Sequence, residues 1–468
     1  MWTPHREQFK AAYFRQSLQR EVRGDVAGRT LDAIVVGAGM AGLSAADELR
    51  RRGRSVAVVE AAPGVGGLAR SIRVAGEPIE AYYHHVFPQD REIRALIDRL
   101  GFGDRLEWRK GPMAVMHKGR TFAFDTPLDL LRFSPLSPLA RIRMATATAV
   151  QLVRPDRAHL DRLSVSDDGP RWFGRAGYDA LWRPLLDAKF GDYADSIAMA
   201  WLVARIRQRG GSRGPTGDRL GYLRGSLGVL AEAFGADLVA RGIDLRTSTR
   251  AGRLRLVADG WEVEGDGAGG DARLTAPVVI ACVSGPVLDR IVELPSGYAS
   301  AIRAIQYRGV VCVLLELSRP LSGYYWVNVT DPLGLGCVGI IEHTNLVPAD
   351  RYGGRTIVYL AHYVEVDGPA WNAPPDELVA AVIPAMTALN PDFARDWIVG
   401  VHVNRDPYAQ PVPQARGPMP GLRLDTGLPG LFHASLAHVY PHDRGVSKAL
   451  ALGARSGQAA DAFLASLS

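Results

Sequence analysis

The stretch AIVVGAGMAGLSAADELRRRGRSVAVVE, residues 33–60, constrains the fold of this chain more than any other. Residues 33–36 read as a short apolar strand, Gly37, Gly39 and Gly42 form G-x-G-x-x-G, and Leu43–Arg52 read as a helix that Gly53 ends. SVAVVE then supplies a second strand ending in Glu60. Each glycine has a separate physical task. Gly37 permits the tight turn, Gly39 lets backbone approach a pyrophosphate, and Gly42 lets helix and strand pack closely. The helix N-terminus faces the anionic phosphates. Glu60 stands where an acid is expected to hold a ribose diol, roughly 20 residues beyond the first glycine. Strand, turn, helix, strand and acid coincide, so the segment is expected to bind a dinucleotide.

A chain of 468 residues exceeds what one hydrophobic core usually serves, which predicts two structural domains. With 47% hydrophobic and 22% charged residues, its composition is that of an ordinary globular protein. The net charge of +6 comes almost wholly from arginine, since Lys10, Lys110, Lys118, Lys189 and Lys448 are the only lysines. The arginines are dispersed and no zinc-finger or RNA-binding motif occurs, so no nucleic-acid partner is expected. Cys282, Cys312 and Cys337 fit neither a metal-ligand spacing nor a disulfide framework, and buried thiols in a reducing compartment are expected. Residues 1–30 carry charges throughout and lack the apolar core of a signal peptide. They form an N-terminal extension in which Phe9, Tyr13, Leu18 and Val22 mark one face of a short basic helix, either docked or disordered. No apolar run reaches the ~18 residues of a membrane span, so a cytoplasmic or peripherally attached chain is expected.

Directly after Glu60 comes AAPGVGGLARS, residues 61–71. Gly66, Gly67 and Arg70 resemble the second phosphate-contacting segment of the FAD-dependent amine oxidase, protoporphyrinogen oxidase and phytoene desaturase superfamily. The resemblance extends over nearly all of residues 31–468. LGYLRGSLGVLAEAFGADLVARGIDLRTSTRAGRL (220–254) looks like that superfamily's glycine turn, helix and strand, and GLFHASLAHVYPHDRGVSKALALGARSGQAADAFL (430–464) like the segment that closes over the flavin. The resemblance implies an α/β fold with a Rossmann-type, glutathione reductase-like FAD-binding domain and a second, substrate-binding domain built on an antiparallel sheet and helices. It implies residues 31–112, 215–290 and 412–468 for the first and 113–214 with 291–411 for the second. FAD contacts are expected at Gly37, Gly39, Met40, Ala41, Gly42, Glu60, Ala61, Gly66, Gly67, Leu68, Ala69 and Arg70, and again at Asp443, Arg444, Gly445 and Val446. Where relatives commonly carry Gly-Asp on the ribityl chain, this sequence has Ser435 and Leu436, and Asp443 or a backbone group is the expected substitute. GDGAGG (265–270) is a turn with no following helix, so no second nucleotide site is expected. The implied electron acceptor is dioxygen, a quinone or another carrier.

The middle of the chain is less specific. Leu128, Leu130, Leu131 and Phe133 beside Arg132, Arg141 and Arg143 form either a helical cap over the substrate domain or a surface touching a membrane. VVCVLLEL, YYWVNV, VGIIEHTN and TIVYLAHYV are the expected strands of the antiparallel sheet. Lys189 is expected as a structural contact at a helix end, and the lysine that many amine oxidases carry near the flavin is missing from YRGVVCVLLEL.

A flavin dehydrogenation holds a substrate C–H against the flavin and often needs a base, a role suited to histidine. Glu342 and His343, at the end of an apolar strand, and the adjacent His84 and His85 in EAYYHHVF are the candidate catalytic residues, ahead of His438 and His442. Adjacent histidines without cysteine or acid partners do not make a metal site. Tyr82 and Tyr83 are expected to form a bulky wall beside the flavin. Three activities remain open on these residues. They are dehydrogenation or desaturation of an apolar or glycosylated small molecule, redox-neutral flavin chemistry on a sugar nucleotide as in UDP-galactopyranose mutase, and a structural FAD-binding subunit.

Overall fold

The computed structural model describes residues 31–153, 158–214, 217–267, 270–331, 333 and 338–467. The expectations for the N-terminal helix face and for Cys337 lie outside these residues. Five short strands form a parallel sheet in the order Asp244–Arg246, Val56–Val59, Ala33–Val36, Val278–Ala281, Leu431–His433. Each of the three middle strands is a run of buried aliphatic residues, the pattern of strands covered on both faces. Ala33 and Val35 point into a core shared with Leu43, Leu230 and Leu450. Ile34 and Val36 point the other way, onto Leu254, Trp261 and Val263. The first face is covered by the helices Met40–Arg51, Ser226–Ala240 and Val446–Ser466, the second by an antiparallel sheet of Thr249–Val257, Gly260–Gly267 and Gly270–Ala276. Gly265–Gly267 and Gly270 of GDGAGG lie in the paired strands Gly260–Gly267 and Gly270–Ala276, and the next element is the strand Val278–Ala281.

The helices Met40–Arg51 and Val446–Ser466 lie against one another because small residues let their backbones meet. A Cβ on Gly453 would overlap the Ala41 carbonyl, one on Gly457 would stand 2.8 Å from Ala45 O, and Ser44 Oγ donates to Leu450 O at 2.7 Å.

A seven-stranded sheet runs in the order Ile398–Pro411, Tyr307–Leu317, Thr356–Val364, Gly339–Glu342, Trp326–Val329, Met113–His117, Arg120–Ala123. It is antiparallel except where Met113–His117 pairs in parallel with Trp326–Val329. One face packs aliphatic side chains on the helix Pro375–Leu389. The other is aromatic, carrying Tyr325, Trp326, Tyr359 and Tyr363, and meets Tyr82 and Phe87 beyond the hairpin Ser71–Val74/Glu77–Glu80. Helices between Pro127 and Ser212 close this side of the molecule. No helix among the described residues is long and apolar enough to cross a membrane.

Candidate functional site

The G-x-G-x-x-G turn is built as its residue types require. Gly37 sits at φ +101°, where a side chain is strained, and a Cβ there would come within 2.8 Å of Cys282 O. A Cβ on Gly42 would overlap the Gly37 carbonyl. At Gly39, by contrast, a Cβ would find nothing nearer than Gly67 Cα at 4.0 Å, so its open side faces a cavity. The second glycine segment lies directly on the first. Gly66 pairs with Gly39 in an isolated parallel bridge and donates from N to Ala38 O at 2.8 Å. Glu60 is fixed by backbone N–H donors, from Ala38 to Oε2 at 2.7 Å and from Ala62 to Oε1 at 2.8 Å, and still lines the cavity.

This cavity measures about 3740 Å³, several times the volume of pockets for drug-sized ligands. Gly39, Met40, Ala41, Glu60, Ala61 and Gly66–Arg70 line it, and so do Asp443–Val446. Gly37 and Gly42 do not; they shape the turn behind the surface. The N-termini of the helices that begin at Met40 and Val446 open onto the space, and neither has a side-chain cap or an acidic residue in its first turn. Uncapped N–H groups behind a smooth glycine surface are the chemistry that receives a pyrophosphate and a polarised ring carbonyl. The residues present thus fit a flavin dinucleotide.

Beyond the glycines the cavity opens into a chamber walled by aromatic and basic side chains. Tyr83 packs edge-on against Trp326 at 5.0 Å, and Arg70 donates to Tyr82 Oη at 3.0 Å while lying over its ring. His84 and His85 both line the chamber. His84 Nδ1 donates to Tyr82 O at 2.6 Å, which leaves Nε2 as the unprotonated nitrogen. Burial, with Arg444 nearby, holds its imidazolium pKa down to about 4. His85 Nδ1 shares a hydrogen with Tyr325 Oη at 3.0 Å, and burial together with Arg209 pushes its pKa well below the ordinary value. Both imidazoles are neutral at pH 7.

Glu342 and His343 are elsewhere, contrary to the expectation that they are catalytic. Neither lines the cavity, and both are buried. The Glu342 carboxylate accepts from Leu321 N at 3.0 Å, Ser322 N at 2.6 Å and Ser322 Oγ at 2.8 Å, fixing the loop before the Trp326–Val329 strand. His343 Nε2 bonds Tyr352 Oη at 2.9 Å, and its ring stacks edge-on against Tyr222 and Tyr359. A charged residue at the end of an apolar strand proves here to be a loop anchor, with every carboxylate contact made inside the fold.

Asp443 also differs from its expected part. Its carboxylate is taken up by Lys189 Nζ at 2.8 Å and Arg205 Nη1 at 3.1 Å. In spite of burial, Lys189, Arg205 and Arg444 hold it well below the usual carboxylate range, so it is an ionised clamp and not a group free for a ribityl chain. Ser435 and Leu436 do line the cavity, with Ser435 Oγ bonded to His438 Nδ1 at 3.1 Å. Lys189, expected as a structural contact, is a buried member of the chamber wall, within 5.1–5.6 Å of the ring centroids of Trp201, Tyr363 and Phe190.

Sequence reasoning passed over Tyr363. Its hydroxyl accepts from Arg444 Nη2, its ring lies beneath that guanidinium and beside Lys189, and it faces the chamber. Burial favours the neutral phenol, but Arg444 and Lys189 outweigh it and bring the pKa below the ordinary tyrosine value. The only sequence signal was the alternation of TIVYLAHYV, which puts Tyr359, Ala361 and Tyr363 on one face of the strand.

Comparison with known proteins agrees with this geometry. The family model described as flavin containing amine oxidoreductase matches residues 40–455. A Mycobacterium tuberculosis protein, provisionally named a flavin-containing monoamine oxidase, is 28% identical over 230 residues, covering 45% of this chain and 49% of that protein. Hydroxyneurosporene desaturase of Rubrivivax gelatinosus is 28% identical over 291 residues, covering 54% and 53%. The chain thus spans about half the length of these curated relatives. The structure of reduced UDP-galactopyranose mutase superposes with a TM-score of 0.71 over 92% of this chain and 95% of that one, at 15% identity, a likeness of fold alone. With a match over most of its length and a cradle that fits the dinucleotide, this chain belongs to the flavin-containing amine oxidoreductase family and its cofactor is FAD.

Proposed function

We propose that the protein is an FAD-dependent oxidoreductase that dehydrogenates or desaturates a small molecule, with residues 113–214 and 291–411 forming the substrate side. The observation that carries this reading is the continuity of the cavity from the glycine cradle at Gly39 and Gly66 into the chamber of Tyr83, His84, Lys189 and Tyr363. FAD held there supplies a two-electron hydride acceptor. The chain's own residues supply the remainder. Met40 and Val446 present helix N-termini to negative charge, Tyr83 and Trp326 form an apolar wall, and Arg444 with Lys189 keeps Tyr363 ready to exchange a proton. The unprotonated Nε2 of His84, a residue that lines the cavity, is a second place for that proton. The reoxidant is dioxygen, a quinone or another carrier.

Anaerobic mixing of the purified yellow protein with candidate substrates tests the reading. Loss of the oxidised-flavin absorption, and its return with air or a quinone, is the expected result. A protein that takes up no FAD overturns the proposal. Turnover only after prior reduction, with no net electron transfer, replaces it with redox-neutral chemistry on a sugar nucleotide.

A further inference from the structure

Six of the eleven large hydrophobic side chains exposed among the described residues fall in one stretch, residues 128–153. They are Leu128 and Leu131 on the helix Pro127–Arg132, and Leu139, Ile142, Leu152 and Val153 on the helix Pro138–Val153. On the longer helix Met144 and Gln151, seven positions apart, are buried. Leu139, Ile142, Thr146, Ala149 and Val153, at intervals of three and four, form the opposite and exposed stripe. Leu139 and Ile142, 77% and 57% exposed, take no part in the core beneath, where Met144 packs with Phe133 and Leu136. Exposed aliphatic side chains gathered in this way mark a contact surface.

The charge around the stripe indicates what covers it. Residues 127–153 hold Arg132, Arg141 and Arg143 against one acid, Asp129. The Asp129 carboxylate caps the shorter helix, accepting from Thr126 N at 2.7 Å and Thr126 Oγ1 at 2.8 Å. Arg141 donates to Leu136 O at 2.7 Å and Leu131 O at 3.1 Å, and Arg143 to Arg171 O at 2.7 Å. These acceptors are neutral, so the bonds orient the guanidinium groups without cancelling their charge. A second copy of the chain fits this surface poorly, because a twofold contact sets a patch against itself and would press positive charge on positive charge. Residues 1–30 carry six basic side chains against three acidic ones, so they share its sign. A phospholipid surface offers what both lack, an apolar interior for the leucines and negative headgroups for the arginines.

We propose that the helices Pro127–Arg132 and Pro138–Val153 form a docking face for an anionic phospholipid surface. The aliphatic stripe enters the headgroup boundary, and Arg132 and Arg143, both exposed, meet lipid phosphates. This assignment does not depend on the flavoenzyme reading, but it bears on the chamber's surroundings. The helix Met199–Ser212, which lines the chamber with Arg205 and Gln208, meets the longer helix at Gly210, where a Cβ would come within 2.3 Å of Leu152. One helix thus lies between the docking face and the chamber.

Co-sedimentation of the FAD-loaded full chain with vesicles tests the assignment. One set is phosphatidylcholine alone, the other equal parts of phosphatidylcholine and phosphatidylglycerol. The mixed vesicles should bind about tenfold or more tightly than the neutral ones, and added salt should reduce the difference. L139S and I142S should each weaken binding about tenfold, the loss of one buried aliphatic side chain. R132Q and R143Q should each weaken it about fivefold. All four side chains are exposed, so melting temperature and FAD content should keep their wild-type values. Failure of the wild-type protein to bind the mixed vesicles, or equal binding to both kinds, overturns the proposal whether or not the variants fold. Wild-type vesicle affinity in both L139S and I142S overturns it too, by placing the contact elsewhere on the chain. A dimer that L139S dissociates, without vesicle binding, would replace the lipid by a second copy.

Discussion

The residues of EAYYHHVF divide by what their polar atoms meet. Glu80 turns inward, accepting from Tyr222 Oη at 2.9 Å and Leu227 N at 2.8 Å, and burial raises its pKa to about 7. His84 turns its Nε2 away from the backbone partner that fixes Nδ1. Tyr363 also lines the chamber, a phenol whose pKa Arg444 and Lys189 bring below the ordinary value in spite of burial. Replacing either proton acceptor should therefore slow catalysis without loosening the fold. H84Q and Y363F are each expected to lower kcat by roughly 10²–10⁴-fold, the usual contribution of a general acid or base, with FAD content unchanged. Rapid-mixing measurement of flavin reduction checks this, and wild-type rates in both would return the two residues to packing roles. Glu342 predicts the reverse. E342A strands Leu321 N, Ser322 N and Ser322 Oγ, so it should lower stability by about 1–3 kcal/mol. The flavin spectrum should stay as it was, because the residue does not line the cavity.

At the scale of elements, the glycine turn was legible because everything that defines it is local. Strand, turn, helix and acid fall within residues 33–60, and each glycine's task follows from having no Cβ at a close approach. The second glycine segment was legible for the same reason, since Gly66 is tied to Ala38 within the same unit. Glu342 was misread because its partners, Leu321 and Ser322, lie about twenty positions upstream in a loop without a signature. Lys189 and Asp443 are 254 positions apart, and no pattern in either segment names the other. The turn itself offers a paired test. G39A adds a methyl group to open space above the cavity, so the protein should fold with an unchanged melting temperature but bind FAD more weakly, by tenfold or more. G42A drives a methyl group into the Gly37 carbonyl and should lose both stability and FAD. Equal FAD affinity in G39A and the wild type would place the pyrophosphate elsewhere.

At the scale of the whole molecule, a core interrupted by a large cavity carries many imidazoles that burial keeps neutral. Burial depresses the pKa of His84 and His438 to about 4 and that of His343 and His433 to about 3, against an ordinary value near 6.5. The unfolded chain therefore binds more protons than the native one below pH 6.5. The stability these neutral histidines contribute is complete above that pH and is lost as pH falls toward 4 and 3. Each costs up to about 1.4 kcal/mol per unit of pH across its window. Raised carboxyls act in the opposite sense, Glu80 most strongly, since its native form keeps a proton between about 4.5 and 7. The four raised carboxyls, Glu80, Asp90, Glu342 and Asp406, do not offset six depressed histidines, the four above with His85 and His117. The unfolding midpoint is thus expected to be flat from pH 8 to 7 and to fall steadily from 6.5 to 4. E80Q, which removes the strongest opposing group, should steepen the fall, and H343Q, which removes a buried imidazole, should make it shallower. Thermal unfolding across this range measures all three slopes. A midpoint unchanged between pH 7 and 5 in the wild type would mean that these histidines titrate in the native protein near their ordinary value, and that burial does not hold them neutral.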